Sequence, residues 1–152
     1  KLGDNMRYWI FIISIIFFDQ WSKKKAYIFL KDFSSPYKYS GRLQLRLAFN
    51  PGAFYGILKN KKGIIIFINL IALLGCILLL ILGFYNNDLS SYALGLSFII
   101  GGGIGNLIDR MKNGYVIDFL YLNRGPIFNI ADIFVFIGVL ILIFIEIFQL
   151  SF

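Results

Sequence analysis

A helix that crosses a bilayer needs about 20 mostly apolar residues, and residues 63–84 supply such a run. Two more follow at 91–108 and 127–150, the last interrupted by Asn129, Asp132 and Glu146. The run at 91–108 carries Gly101, Gly102, Gly103 and Gly105. Small residues let helix backbones approach closely in lipid, so this run reads as the most tightly packed helix of a bundle. Composition agrees: 59% of the 152 residues are hydrophobic and 15% charged, whereas a soluble domain averages nearer half and a quarter. No break in composition divides the chain, so a single domain over residues 1–152 is expected.

The first segment is shorter. Residues 8–18 are apolar, and Asp19 and Lys23 follow. A short apolar core after Arg7 has the look of a signal peptide, but no small-x-small cleavage site comes after it. Read instead as a span over 8–26, the segment carries Asp19 and Lys23 four apart on one helical face, where they form an ion pair. Residues 31–62 are too polar to cross. Within them, Arg42, Gln44 and Arg46 alternate with Leu43, Leu45 and Leu47, the period of a short strand with one apolar and one basic face. The expected fold is an all-α membrane bundle of four transmembrane helices (8–26, 63–84, 91–108, 127–150). A small extramembrane β-rich patch lies between the first and second helices (31–62).

The chemistry open to such a chain is narrow. Histidine is absent and Cys76 is the single cysteine, which removes imidazole-based triads, disulfides and thiolate metal clusters. No metal and no cofactor are expected, and acid–base work falls to Asp, Glu, Lys or Tyr. The net charge of +7 sits largely beside apolar runs, as at Lys23, Lys24 and Lys25 or Lys59, Lys61 and Lys62. That placement fits contact with anionic lipid head groups better than with nucleic acid. Ser22 and Lys23 are adjacent, so on a helix they diverge and do not make a Ser-Lys dyad.

In so apolar a chain the polar residues carry the information. Asn106 and Arg110 are four apart on the third helix; Asn129 and Asp132 are three apart where the fourth begins. The hairpin between these helices brings Asp118 and Asp132 to one depth. Two carboxylates in one site do not ionise together readily, so one pKa rises and the other falls. Aspartic hydrolysis needs that split, with one carboxylate activating water and a protonated one polarising the carbonyl. Other readings stand beside it. Asp109 and Arg110 read as an interfacial charge pair, Asp132 as a helix cap, and the whole set as an ion relay in a transporter, though no internal repeat is evident.

The blocks DQWSK (19–23), NPGAFYGIL (50–58), GGGIGNLIDR (101–110), VIDF (116–119) and FNIAD (128–132) together resemble the signal peptidase II family, the lipoprotein signal peptidases. The resemblance covers nearly the whole chain. It implies a bacterial inner-membrane aspartic endopeptidase that removes signal peptides from prolipoproteins, cutting before the diacylglyceryl-modified cysteine. It also implies Asp118 and Asp132 as the catalytic pair, Asn50, Gly52, Asn106, Arg110 and Asn129 as substrate-binding or supporting residues, and Asp19 with Lys23 as a structural pair. A monomer among membrane phospholipids is expected. Two departures stand out: Phe54 and Tyr55 follow Ala53 where the family has small residues before its Phe, and Ser22 replaces Thr. The resemblance puts both termini in the cytoplasm and the site at the outer leaflet. Charge counting argues the reverse, because residues 31–62 and the connection after Arg110 hold most of the Lys and Arg.

Overall fold

The computed structural model describes residues 2–33, 37–40, 43–52, 61–85, 91–122 and 125–149. The apolar runs form four helices: α1 (Leu2–Leu30), α2 (Lys62–Tyr85), α3 (Ala93–Asn113) and α4 (Ile130–Gln149). α2 and α4 lie close to the expected bounds, whereas α1 extends beyond 8–26 at both ends and α3 continues past 108 to include Asp109 and Arg110. Four short strands join them: β1 (Tyr37–Ser40), β2 (Leu43–Asn50), β3 (Val116–Leu122) and β4 (Ile127–Phe128).

α3 is the hub and packs against the other three helices. Its glycines explain why it can. A Cβ on Gly102 would stand 2.5 Å from the Ala131 carbonyl of α4, and one on Gly101 would stand 2.8 Å from Ile15 of α1. At Gly95 a Cβ would meet Leu142 at 2.6 Å, and at Gly105 it would meet Asp19 Oδ2 at 2.5 Å. Where no apolar driving force separates helix from lipid, such close backbone approach supplies the packing attraction. At the end of the bundle far from the strands, Ile12, Leu80, Ala93, Leu96 and Ile100 form an apolar cluster. There Tyr92 donates to Glu146 Oε2 at 2.9 Å, giving the one acid of α4's far half a partner.

The outside of the bundle is as apolar as its inside. Phe17, Phe67, Leu74 and Phe136 are each more than 60% exposed, an outer wall that only hydrocarbon would solvate at low cost. Among the described residues, two helices are long and apolar enough to cross a bilayer unaided, Lys62–Tyr85 and Ile130–Phe148. Only 17% and 11% of their most apolar stretches are buried, which separates them from core helices of soluble proteins. α1 and α3 carry buried charges and fall outside that description.

The strands correct one expectation. The sheet runs β1-β2-β3-β4, antiparallel throughout, so half of it comes from the α3–α4 connection rather than from residues 31–62. The sequence marks residues 116–126 only as the connection between the third and fourth helices; β3 is buried on both faces around Val116, Asp118 and Phe119 and shows no alternation. Residues 127–128, expected to open the fourth helix, form β4 instead. Gly114, at φ +84°, ends α3 in the left-handed conformation and turns the chain into β3. The alternation read in β2 is also interrupted. Its register with β3 shifts between Leu45 and Ala48, a bulge that leaves Arg46 outward but turns Phe49 outward too, 48% exposed. Arg42 and residues 53–58 of the NPGAFYGIL block, including Phe54 and Tyr55, lie outside the described residues.

Candidate active site

The α4 N-terminus is built by a capping box. Asn129 Oδ1 accepts from the Asp132 N–H at 3.0 Å, while Asp132 Oδ2 accepts from the Asn129 N–H at 3.2 Å. Asp132 is thus part of the cap, but its other oxygen is aimed elsewhere: Oδ1 accepts from Asn106 Nδ2 at 2.8 Å. Across from it, β3 turns Asp118 inward, 3% exposed. The Asn129 amide donates to Asp118 Oδ1 at 2.7 Å and to Asn106 Oδ1 at 3.1 Å. One fully buried asparagine therefore contacts both acids, Asp118 through its side chain and Asp132 through its backbone.

β2 closes the other side. Asn50 is paired with Val116 in the sheet, and its Nδ2 donates to Asp118 Oδ2 at 3.0 Å while its Oδ1 accepts from the Gly52 N–H at 3.1 Å. Arg110, one turn beyond Asn106 on α3, reaches the Gly52 carbonyl with NH2 at 3.4 Å. Its Nε is buried and, among the described residues, has no partner. A cleft of about 420 Å³ opens here between α2, α3 and α4. Asn106, Arg110 and Asp132 give it a polar end, and Ile65, Leu73 and Val135 give it apolar walls.

Burial governs the acidity of Asp118. Burial, reinforced by the nearby charge of Asp132, pushes Asp118 up to about 6, against the lowering pull of the Asn50 and Asn129 amides. Asp118 is therefore disposed to hold a proton closer to neutrality than an ordinary carboxyl does. Among the described residues no set of three or more His, Cys, Asp or Glu side chains is grouped as metal ligands.

The expected i,i+4 pair is present: Lys23 Nζ lies 2.7 Å from Asp19 Oδ2, both residues buried. The reading of Asp109 and Arg110 as an interfacial charge pair does not hold for Asp109. It is 4% exposed, bonds Lys23 at 3.1 Å, and accepts from Gln20 Nε2 at 3.0 Å and the Ile117 N–H at 3.2 Å. Spacing allows this: Asp109 and Arg110 lie three and four residues beyond Asn106 and flank it on opposite sides, so the two sequence neighbours meet different partners. Gln20 was not singled out either, although an amide on an apolar helix beside a buried acid is itself a signal.

Lipid-facing apolar walls around a buried polar centre make this an integral membrane protein. Comparison with known proteins gives the family. The signal peptidase (SPase) II pattern matches residues 11–148. A lipoprotein signal peptidase of Caldicellulosiruptor bescii is 39% identical over 91% of this chain and 89% of its own length. One from Caldanaerobacter subterraneus is 34% identical over 92% and 95%. A bacterial membrane enzyme solved by the in meso method superposes with a TM-score of 0.81 at 27% identity, covering 95% of this chain and 90% of that one. The chain belongs to the signal peptidase II family, and it is a peptidase.

Proposed function

We propose that this protein is an aspartic endopeptidase of the bacterial inner membrane that removes signal peptides from prolipoproteins, cutting just before the diacylglyceryl-modified cysteine. The observation that carries the reading is the convergence of Asp118 and Asp132, from a strand and a helix, on one buried asparagine. Ionised Asp132 takes a proton from water, whose oxygen attacks the scissile carbonyl carbon. Protonated Asp118 donates to the carbonyl oxygen, and the raised pKa of Asp118 supports this division. Collapse of the tetrahedral intermediate breaks the C–N bond, with the proton on Asp132 passing to the leaving amine and the carbonyl-oxygen proton returning to Asp118. No metal or cofactor enters.

Asn50, Gly52, Asn106, Arg110 and Asn129 hold the pair and the substrate backbone. The buried Arg110 Nε, lacking a partner among the described residues, supports a donor role toward a substrate carbonyl. The apolar cleft beside it suits the flanking signal-peptide residues. In this reading all four helices cross the membrane within one domain of residues 1–152, α1 and α3 turning their charges inward. Both termini are cytoplasmic and the sheet lies at the outer leaflet, where exported prolipoproteins present the lipidated cysteine. The protein acts as a monomer, and exposed Arg46 meets anionic phospholipid.

Purified protein incubated with a diacylglyceryl-modified prolipoprotein tests the proposal. Asp118→Asn and Asp132→Asn should each lower turnover by at least about 10³-fold, since an amide neither accepts nor delivers the proton. Turnover near wild type in either variant would end the aspartic mechanism.

A further inference from the structure

Asp118 and Asp132 lie on separate elements, and a second pair of acids ties those elements to the bundle. Asp109 Oδ2 accepts from the Ile117 N–H at 3.2 Å, the residue immediately before Asp118. Asp19 Oδ1 accepts from the Ala131 N–H at 3.0 Å, the residue immediately before Asp132. Between these two acids stands Lys23, its Nζ 2.7 Å from Asp19 Oδ2, 3.1 Å from Asp109 Oδ2 and 3.0 Å from Asn106 Oδ1. An ammonium has three N–H donors, and all three are engaged. Gln20 Nε2 spans the same two acids, 3.2 Å from Asp19 Oδ2 and 3.0 Å from Asp109 Oδ1. The third bond of Lys23 also orients an amide. With its oxygen turned to Lys23, Asn106 presents its nitrogen to Asp132.

We propose that Lys23, Asp19, Asp109 and Gln20 form a positioning clamp: each acid grips the backbone N–H preceding one reacting aspartate, and Lys23 with Gln20 sets the distance between the two acids. This rests on the reading of Asp118 and Asp132 as the reacting pair. Stability is a weak reason to keep such a cluster, because apolar residues of similar volume often serve a fold as well as a buried ion triad. Geometry is a stronger one, since a backbone N–H donating to a carboxylate makes a charge-assisted, directional bond. A misplacement of about 1 Å costs roughly 100-fold in rate.

The test uses the full chain in detergent or vesicles with a diacylglyceryl-modified prolipopeptide. Lys23→Met should lower kcat by roughly 100-fold and leave KM within about twofold. Lys23→Arg, which keeps the charge and several donors, should recover about tenfold of that loss. Because Lys23→Met strands two buried carboxylates, Gln20→Met is measured beside it as a neutral change of similar size. It should lower kcat about tenfold and shift the limbs of the kcat–pH profile by about 0.5 unit, since the coupling of Asp118 and Asp132 depends on their separation. The other charged groups around the pair, Lys23, Asp19, Asp109 and Arg110, are unchanged in Gln20→Met, so the shift reports geometry. Wild-type kcat in Gln20→Met, or a reduced amplitude with both limbs in place, overturns the clamp. Retained turnover in Asp118→Asn or Asp132→Asn in the same assay overturns the catalytic reading and the clamp with it.

Discussion

The two ends of α3 are held in opposite ways. At one end Leu80, Ala93, Leu96 and Ile100 pack as an apolar cluster. At the other, Asn106 and Asp109 join a network of buried amides and ions that reaches α1, the sheet and α4. In lipid the apolar end gains little from leaving its surroundings, so close contact and shape hold it. The polar end has no alternative to its partners, because hydrocarbon offers an amide or a carboxylate nothing. The first end sets how tightly the bundle packs; the second sets where particular atoms stand.

After the two aspartates themselves, the largest expected effect also falls at the polar end. Arg110→Met removes the donor left without a partner and should lower kcat/KM by roughly 100-fold, with melting temperature little changed, as measured by steady-state cleavage and detergent melts. An effect confined to stability would return Arg110 to a purely structural part.

Acidity separates the ends next. Burial raises Asp118 to about 6 in the folded protein, against 3.8 for an ordinary aspartate. Above pH 6 it is ionised folded and unfolded, and the fold bears the whole cost of burying the charge. As pH falls through the window from 6 to 3.8, the folded state binds a proton before the unfolded chain does. Stability therefore rises on acidification, by about 3 kcal/mol at the limit. Melts between about pH 7 and pH 4 should show this slope, and Asp118→Asn should flatten it. The alkaline limb of kcat/KM should also lie near 6 under the proposed mechanism, in which protonated Asp118 serves as the acid.

Glycine substitutions sharpen the contrast at smaller scale. Gly95→Ala at the apolar end and Gly102→Ala nearer the site both force α3 from α4, each costing about 1–3 kcal/mol. Only Gly102→Ala should also lower kcat, since its Cβ meets the carbonyl of Ala131, beside Asp132. Gly75→Ala, with nothing within 4 Å, should change neither. The smallest expected effect is none: EDTA or phenanthroline should leave turnover unchanged, and a loss restored by zinc would contradict the metal-free chemistry.

The sequence made the two ends unequally legible. α2 and α4 came close to their bounds because a long apolar run has few other uses, whereas the polar ends of α1 and α3 continued the helix beyond the apolar run. Asp118 and Asp132 stood out as candidates, and the Asp19–Lys23 pair was readable, because ionisable residues in so apolar a chain need a reason. β3 was not, since a strand buried on both faces loses its period of two, and β4 lay inside the apolar run that reads as the fourth helix. The bulge between Leu45 and Ala48 left no local mark. Asp109 was misjudged through its neighbour Arg110, although its partners are Lys23, Gln20 and the Ile117 N–H. No spacing rule reveals that Lys23 serves three acceptors on two helices; that is a property of the packed bundle.

Orientation in the membrane is the point on which charge and family reading part. A cysteine at Ser40, with Cys76 replaced, should react with a membrane-impermeant maleimide in intact spheroplasts, whereas one at Ser90 should react only after lysis. The reverse pattern would invert the proposed topology.

The most direct test of the central claim reads the cut itself. Mass spectrometry of a prolipoprotein incubated with the purified chain should find a mature product beginning at the diacylglyceryl-modified cysteine, formed by wild type and absent with Asp118→Asn and Asp132→Asn. A product beginning elsewhere, or the same product at the same rate from either amide variant, would contradict an aspartic signal peptidase built on this pair.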